Sequence, residues 1–270
     1  MRLSALACAA AALLVATVRA DAADGLDPLL RAGTLKVCTI EAPPFAMKDG
    51  AGRWIGHEID IGERLAADLG VRAGFVAKTA DDIAPALASG TCDIAAAALA
   101  IDGARLRRLW FSRPYADTEV NIVVPRKPGT TTTVSDLDKA DVTLAVVAGS
   151  DAADAARSAL PHAKLRAFPD LHQARQALDG GNVAGLVQAT PIPTLLLAEA
   201  RERYALVDGL PLRRSAVAFA LKKGAADLLN FVDGWIEVHQ RDGYFERIDD
   251  YWYGGIEWTQ RLPAGTPALP

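Results

Sequence analysis

The chain is 270 residues long, 51% hydrophobic and 23% charged, with a formal net charge of −4. That near-balance gives no basic footprint for nucleic acid or for an anionic membrane surface. The four histidines, at 57, 162, 172 and 239, form no pair at metal-ligand spacing, and there is neither a Gly-rich phosphate loop nor a G-x-S-x-G elbow, so no metal or cofactor is expected.

Arg2, the apolar run Leu3–Val18 and the small residues Ala20, Ala22 and Ala23 read as a secretory signal peptide cleaved after Ala20 or Ala22. The run is shorter than the ~20 apolar residues of a membrane span. Residues 1–22 are therefore set apart, and Cys8 goes with them. No later stretch is long and apolar enough to cross a membrane. Roughly 250 residues remain, enough for one large or two small domains. Cys38 and Cys92 are left as an even pair in an oxidising compartment.

From Leu35 onward, strand and helix patterns alternate. LKVCTI is a predicted strand, and His57–Leu69 a helix stopped by Gly70. AGFVAK is a strand, Asp81–Ala88 a helix, and CDIAAAA a strand. A short helix carrying Arg105 follows, and EVNIVVP is a buried strand. Pro128, Gly129 and four threonines then break the pattern. In the second series VTLAVV, AKLRAF and VAGLVQ are strands, and Asp151–Leu160, Asp170–Leu178 and Pro193–Ala200 are helices. RRSAVAFALKK reads as a returning strand. Helix Ala225–Gln240 carries an apolar stripe at Leu228, Leu229, Val232 and Ile236. This βαβ alternation predicts mainly parallel sheets covered on both faces.

The stretch from Gly90 to Tyr115 carries the chemistry. It reads as an apolar strand, a tight break at Asp102–Gly103, and a helix with Arg105 in its first turn. A planar guanidinium there, with backbone N–H groups beside it, is suited to an anion. In open α/β folds ligands sit at the carboxyl ends of strands. The other reading is a surface arginine that holds nothing.

Gly90, Asp93, Arg105, Phe111, Ser112, Pro114 and Tyr115 fall in the order of the matching segment of the family 3 extracellular solute-binding proteins. Pro43–Phe45, GHEID (Gly56–Asp60), Ala148–Ser150 and RDGYFERI (Arg241–Ile248) extend the likeness. The chain resembles that family over roughly Gly33–Gly255, a span set by those motifs. The resemblance implies a two-lobed, type II periplasmic binding protein-like α/β fold, each lobe a mainly parallel sheet flanked by helices. Two crossover strands join the lobes, near Val120–Pro125 and Ala216–Leu221. The expected lobes are 23–122 plus 218–258, and 123–217, with 259–270 as a tail. In that fold the strands of Cys38 and Cys92 are parallel neighbours. A disulfide and a pair of small buried thiols are both open readings.

The resemblance also implies a site. Arg105 would clamp the ligand's carboxylate, with Gly149 and Ser150 as the second lobe's half. Ala98 and Ala100 stand where the family often carries hydroxyls. Asp151 stands where the family often has Ser or Thr; beside the anion site it would weaken that site unless it points away or pairs with a cationic group, and it reads as a helix N-terminal charge. The family's ammonium-binding acid falls near Ala189, flanked by the uncharged Gln188 and Thr190. A buried ammonium without a charged partner costs several kcal/mol. The ligand is then a carboxylate without an ammonium, or the cleft serves another partner. Phe45 is either a cleft wall or a packed loop aromatic. Trp54 and Trp110 read as packing residues, and the tail DDYWYGGIEW as docked on the first lobe. Ser150 has no His or Lys near it in sequence to activate it.

The function implied is a monomeric, non-enzymatic periplasmic receptor. It would close over a small-molecule carboxylate, an amino acid or related organic acid, and deliver it to an ABC permease at the inner membrane. The alternatives are a cyclohexadienyl dehydratase-like enzyme and an accessory protein of a periplasmic quinoprotein dehydrogenase.

Overall fold

The computed structural model describes residues 25–264 and 266. The proposed signal peptide, with Cys8, lies outside the described residues. Two sheets divide the chain. The first has the strand order Arg72–Ala77, Thr34–Thr39, Ile94–Ala95, Ala220–Leu221, Trp110–Phe111. Its first three strands run parallel and Ala220–Leu221 runs against its neighbours. The second has the order Tyr204–Leu206, Ala116–Pro125, Gly185–Ala189, Thr143–Val147, Lys164–Phe168, and Arg213–Val217 also pairs with the long strand. Only Ala116–Pro125 runs antiparallel there. This is the two-lobed α/β architecture expected.

The helices follow their apolar periods. Helix Ala226–Arg241 buries Leu228, Val232, Trp235, Ile236 and His239 at helical spacing. Leu229 packs at the margin of that core. Helix His57–Asp68 buries Ile59, Ile61, Leu65 and Ala66. Its Gly62 is a close-approach point, since a Cβ there would lie 2.8 Å from the Phe75 ring. Its start is capped by the preceding loop: the His57 and Glu58 N–H groups donate to the Pro44 and Phe45 carbonyls at 3.0 and 2.9 Å. Gly56, at φ 140°, permits this, because a Cβ would collide with the Phe45 carbonyl.

Two expected strands come out shorter. CDIAAAA ends as a strand at Ala95, and Ala98 has φ 49°. RRSAVAFALKK is two strands, Arg213–Val217 in the second sheet and Ala220–Leu221 in the first. The chain enters the second sheet at Ala116, ahead of the Val120–Pro125 crossing expected, and Ala116 pairs with Val217. The outgoing and returning crossings therefore run side by side. They are tied by Tyr115 N–H to the Val217 carbonyl and Ser112 N–H to the Phe219 carbonyl, both 3.0 Å.

Cys38 and Cys92 form a disulfide, with Cα atoms 5.6 Å apart. It ties the strand Thr34–Thr39 to the lead-in of Ile94–Ala95, its parallel neighbour. The aromatic tail packs on the first lobe: Trp252 and Trp258 are fully buried, and the Trp252 indole donates to Asp60 at 2.8 Å. Among the described residues no helix is long and apolar enough to cross a membrane.

Candidate functional site

A cavity of about 420 Å³ lies between the lobes. Ile40, Phe45 and His57 wall it from the first, Gln188, Thr190 and Arg213 from the second. Of the site residues expected, Phe45, Ala98, Ala100, Gln188 and Thr190 all face it. Ser150 instead walls a wider neighbouring cavity of about 990 Å³, which shares Phe45 and Gln188. Trp54 lies under Lys48, whose Nζ is 3.5 Å from the ring centre, and Trp110 sits in an outer strand of the first sheet; neither walls these cavities.

Arg105 is placed as the sequence suggests, and of the readings of Asp151 the one observed is pairing with a cationic group. Asp102 caps the helix Gly103–Leu106, its carboxylate accepting from the Ala104 and Arg105 N–H groups at 2.7 and 2.8 Å. The Arg105 guanidinium donates to the Ala100 carbonyl at 2.9 Å and pairs with Asp102 at 3.0 Å. Its two terminal nitrogens then meet both oxygens of Asp151, each at 3.1 Å. This is a two-pronged fork across the cleft, the geometry a ligand carboxylate would use. Arg105 itself does not wall the cavity, whereas Asp151 does.

Asp151 is therefore corrected from a helix-terminal charge alone to the partner of the clamp. It does open helix Asp151–Ala159, and its position at the first turn aims the carboxylate across the cleft. A second carboxylate about 4 Å from Asp151 would meet ~4 kcal/mol of repulsion at an effective dielectric of 20. Asp151 thus occupies the fork that a ligand carboxylate would use. Ser150 is also engaged: its hydroxyl accepts from Ala153 N–H at 3.1 Å and donates to the Val147 carbonyl at 2.8 Å. Gly149, at φ 71°, makes the turn ahead of that cap.

A second charged cluster was not found from the sequence. His57 Nδ1 lies 3.0 Å from Glu58, and Nε2 lies 2.7 Å from Asp249. The Tyr115 hydroxyl donates to the other Glu58 oxygen at 2.7 Å. Tyr253 stacks on His57 with ring centres 4.5 Å apart, and Phe45 meets Tyr253 edge-on. Burial opposes the His57 charge, but the bonds to Asp249 and Glu58 overcome it and raise its pKa to about 9. His57 is an imidazolium at neutral pH and donates to both carboxylates. Burial, then Glu58, push the Tyr115 phenol well above its ordinary value. The signal that was open to reading was the adjacent His-Glu pair. Asp249 and Tyr253 lie too far along the chain to be linked to it by spacing.

On the second lobe, the Thr190 hydroxyl accepts from Glu119 N–H at 3.0 Å. Gln188 is only 8% exposed, and among the described residues its amide has no hydrogen-bond partner. Arg213 makes one long bond, to the Asp151 carbonyl at 3.4 Å. Gln188 was among the site residues expected; Arg213 was not, since it lay in a stretch read only as a returning strand.

Residues 35–255 match the family described as bacterial extracellular solute-binding proteins, family 3. The chain is 27% identical over 252 residues to the cyclohexadienyl dehydratase of Pseudomonas aeruginosa, covering 92% of each chain. It is 27% identical to the L-cystine-binding protein of Escherichia coli K12, covering 78% of this chain and 79% of that one. Among solved structures, an ancestral cationic amino-acid solute-binding protein is 33% identical with a TM-score of 0.75, covering 84% of this chain and 99% of its own. A Wolinella succinogenes binding component of an ABC transporter, complexed with lysine, is 26% identical with a TM-score of 0.77, covering 84% and 99%.

Proposed function

The chain belongs to family 3 of the bacterial extracellular solute-binding proteins, and from that premise we propose that it is a monomeric periplasmic receptor. It closes over a small carboxylate-bearing solute, an amino acid or related organic acid, and delivers it to an ABC permease at the inner membrane. The observation that carries this is the cavity itself. It is walled by both lobes and bridged by one charge pair, Arg105–Asp151. Two paired crossings at Ala116 and Val217 are the place where the lobes swing. A ligand seated between them is enclosed by closure and released by opening. The lysine complex of a similar transporter component supports a zwitterion-sized occupant.

The test is a thermal-shift screen with amino acids, keto acids, hydroxy acids and dicarboxylates. A ligand at 100 times its Kd adds ~2.7 kcal/mol. That raises Tm by roughly 5–10 °C for a chain of this size. If no compound moves Tm, the receptor reading fails.

The similarity to a dehydratase along 92% of the chain favours one second reading, an enzyme. Its chemistry needs an acid poised to protonate a leaving hydroxyl. Ala189 on the second lobe is neutral, and His57 has both ring nitrogens committed to carboxylates. Those features support the non-enzymatic reading. Incubation with prephenate, followed by product absorbance, separates the two: aromatic product in proportion to protein would establish the enzyme.

A further inference from the structure

We infer that Arg213, aided by Gln188, and not Arg105, holds the anionic group of the bound solute. This rests on the receptor reading above and names the anchor within that site.

The charges along the cavity wall decide it. Asp151 takes both terminal nitrogens of Arg105, which it shares with Asp102. Glu58 and Asp249 share the His57 imidazolium, and Asp249 is 42% exposed, so the cluster's remaining negative charge sits where water reaches it. Asp117 is exposed at the rim. Arg213 is the remaining cation. Among the described residues it has no carboxylate partner, only the long bond to the Asp151 carbonyl. An arginine always carries its charge, and its fork offers five donors.

Register brings this guanidinium to the site. Ala189 and Arg213 both pair with Val120, one from each side of the long strand. Directly paired residues project to the same face, and all three wall the cavity. Neighbouring strands lie about 4.8 Å apart, so the Arg213 backbone stands about 10 Å from Ala189. Between them in the register stands the apolar Val120. A compact solute can lie there with its anion on the fork.

Gln188 is the independent observation. The residue is 8% exposed, its amide opens on the cavity, and it has no bonding partner among the described residues. A carboxylate or adjoining polar atom of a solute satisfies it. The ligand class is therefore a small organic carboxylate with a second polar group. Arg105 and Asp151, already paired, supply the bridge between lobes and no ligand contact.

Titration calorimetry tests this with the tightest carboxylate from the screen and its neutral carboxamide. The proteins are wild type, Arg213→Gln, Arg213→Lys and Arg105→Gln. Arg213→Gln is expected to weaken the carboxylate roughly tenfold or more and leave the carboxamide nearly unchanged, with partial recovery in Arg213→Lys. Arg105→Gln, which removes the bridge between lobes, is expected to weaken the carboxylate and the carboxamide by the same factor. Should Arg105→Gln abolish binding while Arg213→Gln does not, the anchor is Arg105 and the inference falls, although the receptor reading survives. If wild type binds no carboxylate, both fall. Arg213→Gln should keep the unliganded Tm, since it loses one long bond. Gln188→Leu is the second variant: a loss of about fivefold is expected, and an unchanged Kd would count against the shared anchor.

Discussion

Two ionic clusters border the same cavity, and they differ in what they join. Arg105–Asp151 links two lobes, with side chains 23% and 42% exposed. His57–Glu58–Asp249 lies within the first lobe, and His57 and Glu58 are each 1% exposed. A half-exposed pair is screened by water and opens at little cost. A buried pair has surrendered its hydration, so removing one member strands the other. The first cluster is thus fitted to motion between lobes, the second to holding one lobe's wall in place.

The largest expected effect follows from breaking the buried cluster. His57→Ala leaves Glu58 buried with only the Tyr115 hydroxyl for company. We expect a loss of roughly 3–5 kcal/mol, read as a drop in Tm of the order of 10 °C. A variant as stable as wild type would erase the contrast between the clusters.

The pH dependence is next. The folded-state pKa of His57, about 9, lies above the unfolded value near 6.5. Its contribution is fully present below pH 6.5 and is lost as pH rises through 9. The shift is worth about 3 kcal/mol. Denaturant titrations at pH 6.5 and 9.5 should show that loss in wild type and little of it in His57→Gln. Equal slopes in both proteins would assign the dependence to other groups.

The smallest effect on stability belongs to the bridge. Asp151→Asn should cost at most about 1 kcal/mol and barely move Tm. It should instead widen the unliganded protein's small-angle scattering profile, because the bond between lobes is gone. A large stability loss with no change in scattering would make Asp151 a structural residue like His57.

The long elements were legible because burial imposes a period on them. Helix Ala226–Arg241 repeats apolar side chains at helical spacing, and its expected bounds differ from the observed by one residue at each end. The two-residue strands Ile94–Ala95, Trp110–Phe111 and Ala220–Leu221 are too short to show any period. Arg105 was legible because its cap, Asp102, is local. Its pairing with Asp151 was only one of the readings open, because Asp151 lies 46 residues away at the start of a helix in the other lobe and only tertiary placement turns it toward the guanidinium. The His57–Asp249 contact spans 192 positions. Arg213 escaped notice because its stretch read as one continuous strand, and the change of sheet after Val217 is set by pairing, not by composition.

The interleaving of the two sheets has a consequence for assembly order. Every strand of the second sheet comes from one unbroken stretch, 116–217. The first sheet does not close until Ala220–Leu221 arrives to sit between Ile94–Ala95 and Trp110–Phe111. As the chain is made from its N-terminus, the earlier-born lobe must wait with an open seam while the later-born one can finish. A fragment ending at Val217 would therefore hold a complete second sheet and a split first one, with two unpaired edges available to other chains.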